Sequence, residues 1–334
     1  MSSTTFQAFR VKEETDGSYS TTIEQCHIAD LPDHEVLIRV HYAALNYKDA
    51  LSASGNKGVT RNFPHTPGID ASGVVEESKS HLFRPGDEVI VTSYDLGMNT
   101  DGGFAEYIRV PAEWVIPKPG SLSLAEAMII GTAGLTAGIG LHKMEKMGQN
   151  PAKGDMLITG ASGGVGSLGV SIFTKAGYRV LAASGKQAAH DFLTSIGARE
   201  IVNREDIDDD SGRPLLKPRW AGALDTVGGN ILATALKGCK KEGSVAACGL
   251  VASPKLPTTV FPFILNGVNL LGIDSAEYAV EERMKVWNKL AGEWKPDHLE
   301  QIAHYISLHE LKENIASMLA GKTSGRVVVN LNPG

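Results

Sequence analysis

Glycines are concentrated in one short stretch of the chain, Leu157–Gly169, which reads LITGASGGVGSLG. Gly160, Gly163 and Gly166 are spaced three residues apart, between an apolar segment and a segment with a helical pattern. Small residues at such a turn let a pyrophosphate approach the backbone and the amino end of the following helix. A tight strand-to-helix turn without a ligand is the alternative, and five glycines within ten residues argue against it. We therefore predict a dinucleotide-binding loop made of Ser162, Gly163, Gly164, Val165 and Gly166.

The next apolar segment, Arg179–Ser184, ends where the adenosine ribose lies in a dinucleotide-binding fold. Proteins that bind NAD usually carry an Asp or Glu at this point, which binds the ribose hydroxyls. This chain has Ser184, Gly185 and Lys186 there, and Arg204 follows the next predicted strand. A hydroxyl, a glycine and two cations suit a 2′-phosphate, so the sequence predicts NADPH as the cofactor. A solvated lysine at a helix start is the alternative for Lys186.

Strands and helices alternate around this loop from residue 156 onward. The predicted strands are Met156–Gly160, Arg179–Ser184, Glu200–Asn203, Gly222–Val227, Ser244–Gly249 and Asn269–Asp274. Helices are predicted between several of them, among them Val165–Ala176 and Gly229–Cys239. Near-continuous apolar strands with crossover helices predict a parallel, doubly wound sheet buried on both faces. Residues just beyond the carboxyl ends of such strands line the ligand crevice, and Leu250 and Ser275 lie at such positions.

The first 120 residues show the short period of β-strands separated by turns. Strands are predicted at Glu35–Leu45, Ser72–Glu77, Asp87–Ser93 and Ala105–Val110. Several short strands at regular spacing predict a small antiparallel barrel or sandwich. A capping-box pattern at Ser123 and Glu126 opens the helical part of the chain. The last predicted strand, Gly325–Leu331, is expected to return to the first domain.

Composition excludes several classes of protein. The chain has 334 residues, 42% of them hydrophobic and 21% charged, which is typical of a globular protein with two domains. The three cysteines are scattered along the chain, so we expect neither a disulfide framework nor a cysteine metal site. A pI near 5.9 without a long basic run argues against nucleic acid as a partner. Neither a long apolar run nor a secretory signal pattern is visible, so we expect a cytoplasmic protein without a membrane span.

Several segments together resemble the medium-chain dehydrogenase/reductase superfamily: GASGGVG, FRPGDEV, GTAGLTA and NYKD. NYKDAL, LDTVGG and PTTVFPFILNGVNLLGIDS are similar to its zinc-independent quinone oxidoreductase branch, of the YhdH/YhfP type that includes NADPH-dependent acrylyl-CoA reductases. The resemblance implies an α/β protein with a GroES-like β-barrel catalytic domain at 1–122. A Rossmann NADPH-binding domain at 123–274 and a carboxyl-terminal return to the catalytic domain at 275–334 would follow.

The resemblance also bears on zinc. Zinc alcohol dehydrogenases of this superfamily have a Cys where this chain has Asn46, and a His-Glu pair where it has Ile69 and Asp70. A catalytic zinc needs three protein ligands. We therefore predict no metal and, without that Lewis acid, no oxidation of simple alcohols.

Hydride transfer to an activated C=C or a quinone needs alignment, a donor near the carbonyl oxygen and exclusion of water. Tyr47 is the first catalytic candidate, because its hydroxyl can bind the substrate and the resemblance places it against the cofactor. A purely structural wall of the nicotinamide pocket is the alternative. Asn46 is the second candidate, holding the backbone or binding substrate, and Asp49 is expected to be structural, paired with a nearby base.

Further contacts follow from the family likeness. Thr132 would cradle the nicotinamide end of the cofactor, and Ile264 would contact the cofactor together with Leu250 and Ser275. Arg61 is expected to attract an anionic thioester such as a CoA derivative, with a solvated loop charge as the alternative.

Two functions stay open: a reductase of activated alkenes or quinones, and an NADPH-binding protein with little turnover. The segments NLLGID and TTVFPFIL suggest a homodimer.

Overall fold

The computed structural model describes residues 5–332, which divide into two compact units. The first unit takes the chain up to Thr132, Ala276–Met284 and the chain from Ala303 onward. The second unit takes Ala133–Ser275 and Lys285–Ile302. The domain boundaries given above, at residues 122 and 274, stay predictions.

The strands and helices of the described residues are these. The strands are β1 (Thr5–Glu13), β2 (Tyr19–His27), β3 (Val36–Leu45), β4 (Asp70–Ser78), β5 (Glu88–Thr92), β6 (Tyr107–Val110), β7 (Val115–Pro117), β8 (Met156–Ile158), β9 (Val180–Ala183), β10 (Glu200–Val202), β11 (Trp220–Asp225), β12 (Cys239–Ala247), β13 (Asn269–Gly272), β14 (Ala303–Ser307) and β15 (Arg326–Asn330). The helices are α1 (Tyr47–Ala53), α2 (Leu124–Lys146), α3 (Gly164–Lys175), α4 (His190–Ser195), α5 (Gly229–Lys237), α6 (Phe261–Asn266), α7 (Val280–Leu290) and α8 (Leu311–Leu319).

A seven-stranded sheet forms the centre of the first unit, in the order β14-β15-β3-β4-β5-β7, with β6 also paired to β3. Most side chains of β3 are buried, and this long strand pairs with three others, β15, β4 and β6. β15 pairs antiparallel with β3, Val327 opposite Leu45. Strand β15 therefore lies in the same sheet as the strands of the first 120 residues.

A six-stranded parallel sheet forms the centre of the second unit, in the order β10-β9-β8-β11-β12-β13. All six predicted strands are present, and the strand order reverses between β8 and β11. Ligands bind such sheets at this switch point, beyond the carboxyl ends of the strands. The predicted α/β fold class with a doubly wound sheet is confirmed.

Helix α2 begins with the predicted capping box. The Ser123 amide donates to Glu126 Oε2 at 2.8 Å, and the Glu126 amide donates to Ser123 Oγ at 3.0 Å. The helix bends at Gly131, whose φ is 46° and ψ −156°. By length and mean hydropathy α2 is able to cross a membrane, but 78% of its most apolar window is buried within the protein. That burial is typical of a core helix in a globular protein, so α2 is weak evidence for a membrane span.

Candidate functional site

The glycine loop of the second unit leaves open space at the start of α3. A Cβ at Gly166 would lie 2.2 Å from the Gly160 carbonyl oxygen, so this glycine lets the loop close on itself. A Cβ at Gly163 would meet only that same oxygen, at 3.4 Å. The protein therefore leaves room beside Gly163, where a phosphate group can reach the amides that open α3. Ser162, Gly164 and Val165 lie in the same turn.

A buried hydrogen-bond network holds the strand ends beneath this loop. Thr159 Oγ1 donates to Asp225 Oδ1 at 2.7 Å, and the Thr226 amide donates to Thr159 Oγ1 at 3.0 Å. The other Asp225 oxygen accepts from the Gly228 amide at 2.7 Å. Burial raises the pKa of Asp225. The network ties the ends of β8 and β11 together at the switch point of the sheet.

The four residues predicted for the 2′-phosphate lie together at the end of β9. Ser184 is buried, and its Oγ accepts from the Lys186 amide at 3.2 Å and donates to Ser162 Oγ at 3.4 Å. A Cβ at Gly185 would lie 3.7 Å from Arg204 Cβ, so the arginine stem passes beside the glycine. Partial burial lowers the pKa of Lys186. The glycine cradle and this cationic end together fit a dinucleotide that carries a 2′-phosphate.

The remaining predicted contacts of the second unit differ in their surroundings. Leu250 and Ile264 are 67% and 68% exposed. Ser275 Oγ accepts a hydrogen bond from Thr136 Oγ1 at 2.7 Å. Leu250 and Ser275 both follow the carboxyl ends of strands, β12 and β13, as predicted.

A buried polar cluster surrounds the side chain of Asn46, the residue before Tyr47, in the first unit. Asn46 Nδ2 donates to Asp70 Oδ2 at 2.9 Å, and Asn46 Oδ1 accepts from an Arg326 nitrogen at 2.9 Å. Asp70 and Arg326 are both buried and form an ion pair at 3.5 Å. Both polar atoms of the Asn46 side chain thus have protein partners, whereas Tyr47 is 47% exposed. The Asn46 side chain is therefore engaged within the protein, and about half of the Tyr47 side chain is accessible.

Thr132 joins this cluster from the kink of α2. Its amide and its Oγ1 both donate to the Asp70 carboxylate, at 2.9 and 2.5 Å. A Cβ at Gly131 would lie 2.5 Å from Asp70 Oδ2 and 2.9 Å from an Arg326 nitrogen. The bend at Gly131 therefore admits the ion pair and places Thr132 on the carboxylate.

Asp49 is fully buried next to the same cluster. Its two carboxylate oxygens accept from the amides of Asn46 at 2.7 Å and Ile69 at 2.8 Å. Desolvation raises the pKa of Asp49 to about 7, and the negative charge of Asp70 adds to the rise. The carboxylate binds backbone amides, whereas the sequence suggested pairing with a basic side chain.

Three cations lie in or near the loop that follows α1. Lys57 forms an ion pair with Glu13 at 2.6 Å and lies 4.8 Å from the centre of the Phe63 ring, which gives it a structural role. The exposed Arg61 has its amide within 3.4 Å of Asn99 Oδ1, and Lys48 Nζ lies 3.9 Å from Met98 Sδ. Arg61 and Lys48 therefore border the same turn, 98–99.

Sequence patterns missed Asp70 and Arg326 as members of the buried polar cluster. Asn46 and Arg326 are 280 residues apart, and no short motif links such a pair. The one available signal was a charged residue, Arg326, at the head of an apolar strand, because an arginine inside a sheet needs a buried acceptor.

Comparison with known proteins then identifies the family. The family model described as "Alcohol dehydrogenase GroES-like domain" matches residues 32–120. The family model described as "Zinc-binding dehydrogenase" matches residues 164–291. The acrylyl-CoA reductase AcuI of Ruegeria pomeroyi is 41% identical, over 96% of this chain and 97% of its own length. The chain belongs to the medium-chain dehydrogenase/reductase superfamily. Within it, the chain falls in the zinc-independent quinone oxidoreductase branch of YhfP and AcuI, as the sequence resemblance indicated.

Two solved structures of this superfamily show the same fold over nearly the whole chain. The YhdH oxidoreductase of Salmonella enterica, in complex with NADP, is 40% identical with a TM-score of 0.94. The protein YhfP of Bacillus subtilis, with NAD bound, is 44% identical with a TM-score of 0.96. Each alignment covers 98% of this chain and 100% of the relative. The GroES-like and Rossmann architecture is therefore confirmed.

Metal ligands can be assessed in the same part of the chain. Over residues 5–332, no three His, Cys, Asp or Glu side chains form a group that could hold a metal ion. The Asp70 carboxylate is engaged by Asn46, Thr132 and Arg326. Independence from metal stays a prediction.

Proposed function

We propose that this chain is an NADPH-dependent reductase that transfers a hydride to a C=C conjugated to a carbonyl, in an enoyl thioester or an enone, or to a quinone, without zinc. The observation that carries the proposal is the geometry at the end of β9, where Ser184, Gly185, Lys186 and Arg204 meet beside the open glycine turn. The class of acceptor follows from the similarity to AcuI, an acrylyl-CoA reductase, over 96% of the chain.

The residues of the second unit supply the binding site for the dinucleotide. The amides that begin α3 bind the pyrophosphate beside Gly163, since amide donors and the helix dipole both favour an anion there. Lys186, Arg204 and the Ser184 hydroxyl bind the 2′-phosphate through charge-assisted hydrogen bonds. Leu250, Ile264 and Ser275 contact the remainder of the cofactor. When bound, NADPH supplies the hydride.

The residues of the first unit orient the acceptor. The Tyr47 hydroxyl donates a hydrogen bond to the carbonyl oxygen of the substrate, where negative charge develops during reduction. Asn46 and Asp70 hold the start of α1, so that the Tyr47 ring keeps one orientation. Thr132, fixed on the Asp70 carboxylate, borders the nicotinamide end. Asn46 thus acts as a positioning residue.

Arg61 and Lys48 favour an anionic substrate. Both border the turn at 98–99, and Lys48 directly follows Tyr47 in the chain. Two such cations would bind the phosphate groups of a CoA thioester, whereas they would add no affinity for an uncharged quinone. Acryloyl-CoA is therefore the acceptor that we propose first.

The experiment is a panel of acceptors. Purified protein is incubated with NADPH and acryloyl-CoA, an uncharged enone or a quinone, and the loss of reduced-nicotinamide absorbance is followed. We expect turnover of acryloyl-CoA that exhaustive chelation does not reduce, and no oxidation of a primary alcohol with NADP⁺. Tight binding of NADPH without turnover of any acceptor would instead show a binding protein.

We also propose that the protein acts in the cytoplasm as a homodimer, with a catalytic domain at 1–122 and 275–334 and an NADPH-binding domain at 123–274. Strand β13 is an edge of the parallel sheet and exposes Leu270, and α6 beside it in the chain exposes Phe261 and Leu265. An open edge with apolar side chains is suited to pair with another copy. Replacing Leu270 with Lys should shift the mass measured by light scattering from dimer to monomer. A wild-type monomer would contradict the proposal.

A further inference from the structure

An arginine on α7 is completely buried in the first unit. Arg283 has 0% of its surface exposed. One of its terminal nitrogens donates to the carbonyl oxygen of Thr92 at 2.8 Å and to Thr92 Oγ1 at 2.9 Å. Its other terminal nitrogen donates to the carbonyl oxygen of Ala276 at 3.0 Å. The guanidinium is thus committed to the end of β5 and to the chain segment that precedes α7.

The turn at Ser93 and Tyr94, directly after the strand end that Arg283 contacts, has an unusual backbone conformation. Ser93 and Tyr94 have φ angles of 65° and 52°, in the left-handed region that residues other than glycine rarely adopt. Such a conformation persists only where surrounding contacts enforce it. The Ser93 amide donates to the Ile69 carbonyl at 2.7 Å, and the Tyr94 amide to the Ala276 carbonyl at 3.2 Å.

The ring of Tyr94 makes a second contact between Arg283 and the same turn. The Arg283 guanidinium carbon lies 4.4 Å from the centre of the Tyr94 ring, a cation–π contact. The same ring stacks on Trp114, with centroids 5.6 Å apart and planes inclined by 7°. The Tyr94 side chain is therefore held between an arginine and a tryptophan.

The Ser93 side chain of this turn contacts the polar cluster formed by Thr132, Asp70 and Asn46. Ser93 Oγ lies 2.8 Å from Thr132 Oγ1, and Thr132 donates to the Asp70 carboxylate. Asp70 in turn accepts from Asn46. A continuous set of short hydrogen bonds therefore leads from the strained turn to Asn46, the residue that caps α1.

We infer that Arg283 is a positioning residue for the proposed reductase reaction: it holds Ser93 and Tyr94 in the left-handed conformation, which aims Ser93 Oγ at Thr132. The inference rests on the proposed function for its effect on turnover. Arginine is required because its planar fork binds Thr92 and Ala276 at once while its face lies on Tyr94. A lysine keeps the charge but offers neither the fork nor the flat face.

A double-mutant cycle tests this pathway through Ser93. In Arg283→Lys we expect kcat with NADPH and acryloyl-CoA to fall about tenfold, the effect of losing one hydrogen bond of a charged group, with a smaller change in KM. In a Ser93→Ala background the same change should lower kcat much less, because the hydroxyl that Arg283 aims is already absent. Arg109→Lys is the matched control: Arg109 also donates to a backbone carbonyl, that of Ile28, and its replacement should leave kcat unchanged.

A readout that needs no turnover separates this inference from the proposed function. In Arg283→Lys, hydrogen exchange should accelerate at the amides of Ser93 and Tyr94 and stay unchanged in β3. If that variant does not fold, Thr92→Val removes one acceptor with little change of shape and should produce the same two effects more weakly. Independent effects of Arg283→Lys and Ser93→Ala on kcat, or unchanged exchange at both amides, would overturn the inference. Faster exchange in a protein that turns over no acceptor would overturn the proposed function alone.

Discussion

At the scale of single residues, Gly163 and Gly166 have different tasks although they share one motif. A methyl group at Gly163 fits the protein, since its nearest contact would be 3.4 Å away, but it occupies the space that a pyrophosphate needs. We expect Gly163→Ala to raise the Kd of NADPH about tenfold or more without lowering Tm. Isothermal titration and thermal unfolding measure the two quantities. Unchanged NADPH affinity would show that the turn is not the phosphate site.

Gly166 is the comparison variant. A Cβ there lies 2.2 Å from Gly160 O and 2.7 Å from Ala161 Cα, so the loop itself must move. Gly166→Ala should therefore destabilise the protein by about 1–3 kcal/mol, the range for overpacking, besides weakening cofactor binding.

Asp49 makes stability depend on pH. Burial raises its pKa from 3.8 to about 7, so the folded protein holds this proton more tightly than the unfolded chain. The contribution of Asp49 to the free energy of unfolding is fully present below about pH 4. It is lost as the pH rises through 7, and the whole loss is about 4 kcal/mol. Urea unfolding should show this fall in wild type and not in Asp49→Asn. Parallel pH curves for the two proteins would contradict the assignment.

At the scale of elements, the bend in α2 connects a backbone conformation to a buried ion pair. Gly131 has a positive φ, and a Cβ there would push against Asp70 and Arg326. Gly131→Ala should cost about 2 kcal/mol or more and lower kcat, because it adds backbone strain and displaces the carboxylate that holds Asn46 and Thr132. Thermal unfolding and steady-state kinetics measure both effects. A control, Gly138→Ala, lies later in the same helix, where the added methyl group would meet only the apolar side chains of Val286 and Leu290. Loss of stability without loss of kcat would separate the bend from the reaction.

The elements also show how far sequence patterns reach. The parallel sheet was predictable because its strands are short apolar runs set off by glycines, a pattern that burial on both faces produces. Strand β2 was missed because none of its residues is buried, so its sequence lacks an alternating pattern. Helix α1 was missed because seven residues are too few to show a helical period. The cofactor loop was predicted from local sequence, whereas the cluster around Asp70 depends on contacts made only in the folded chain.

At the scale of the whole molecule, the preference for one cofactor is the property on which the proposed function most depends. The two solved relatives described above hold NADP in one case and NAD in the other, so the choice of cofactor in this chain depends on its own residues at the end of β9. Ser184, Gly185, Lys186 and Arg204 include no carboxylate that would repel a 2′-phosphate. Two charge-assisted contacts, each worth about 1.5–3 kcal/mol, would make the preference for NADPH steep.

The most direct test is the ratio of kcat/KM for NADPH over NADH, measured with acryloyl-CoA as the acceptor. We expect a ratio of about a hundred or more for the wild-type protein, from two contacts of at least tenfold each. Lys186→Ala should lower kcat/KM for NADPH and leave that for NADH nearly unchanged, and Ser184→Asp should narrow or invert the preference. A wild-type protein that uses NADPH and NADH with equal efficiency would contradict the proposed 2′-phosphate site at the end of β9.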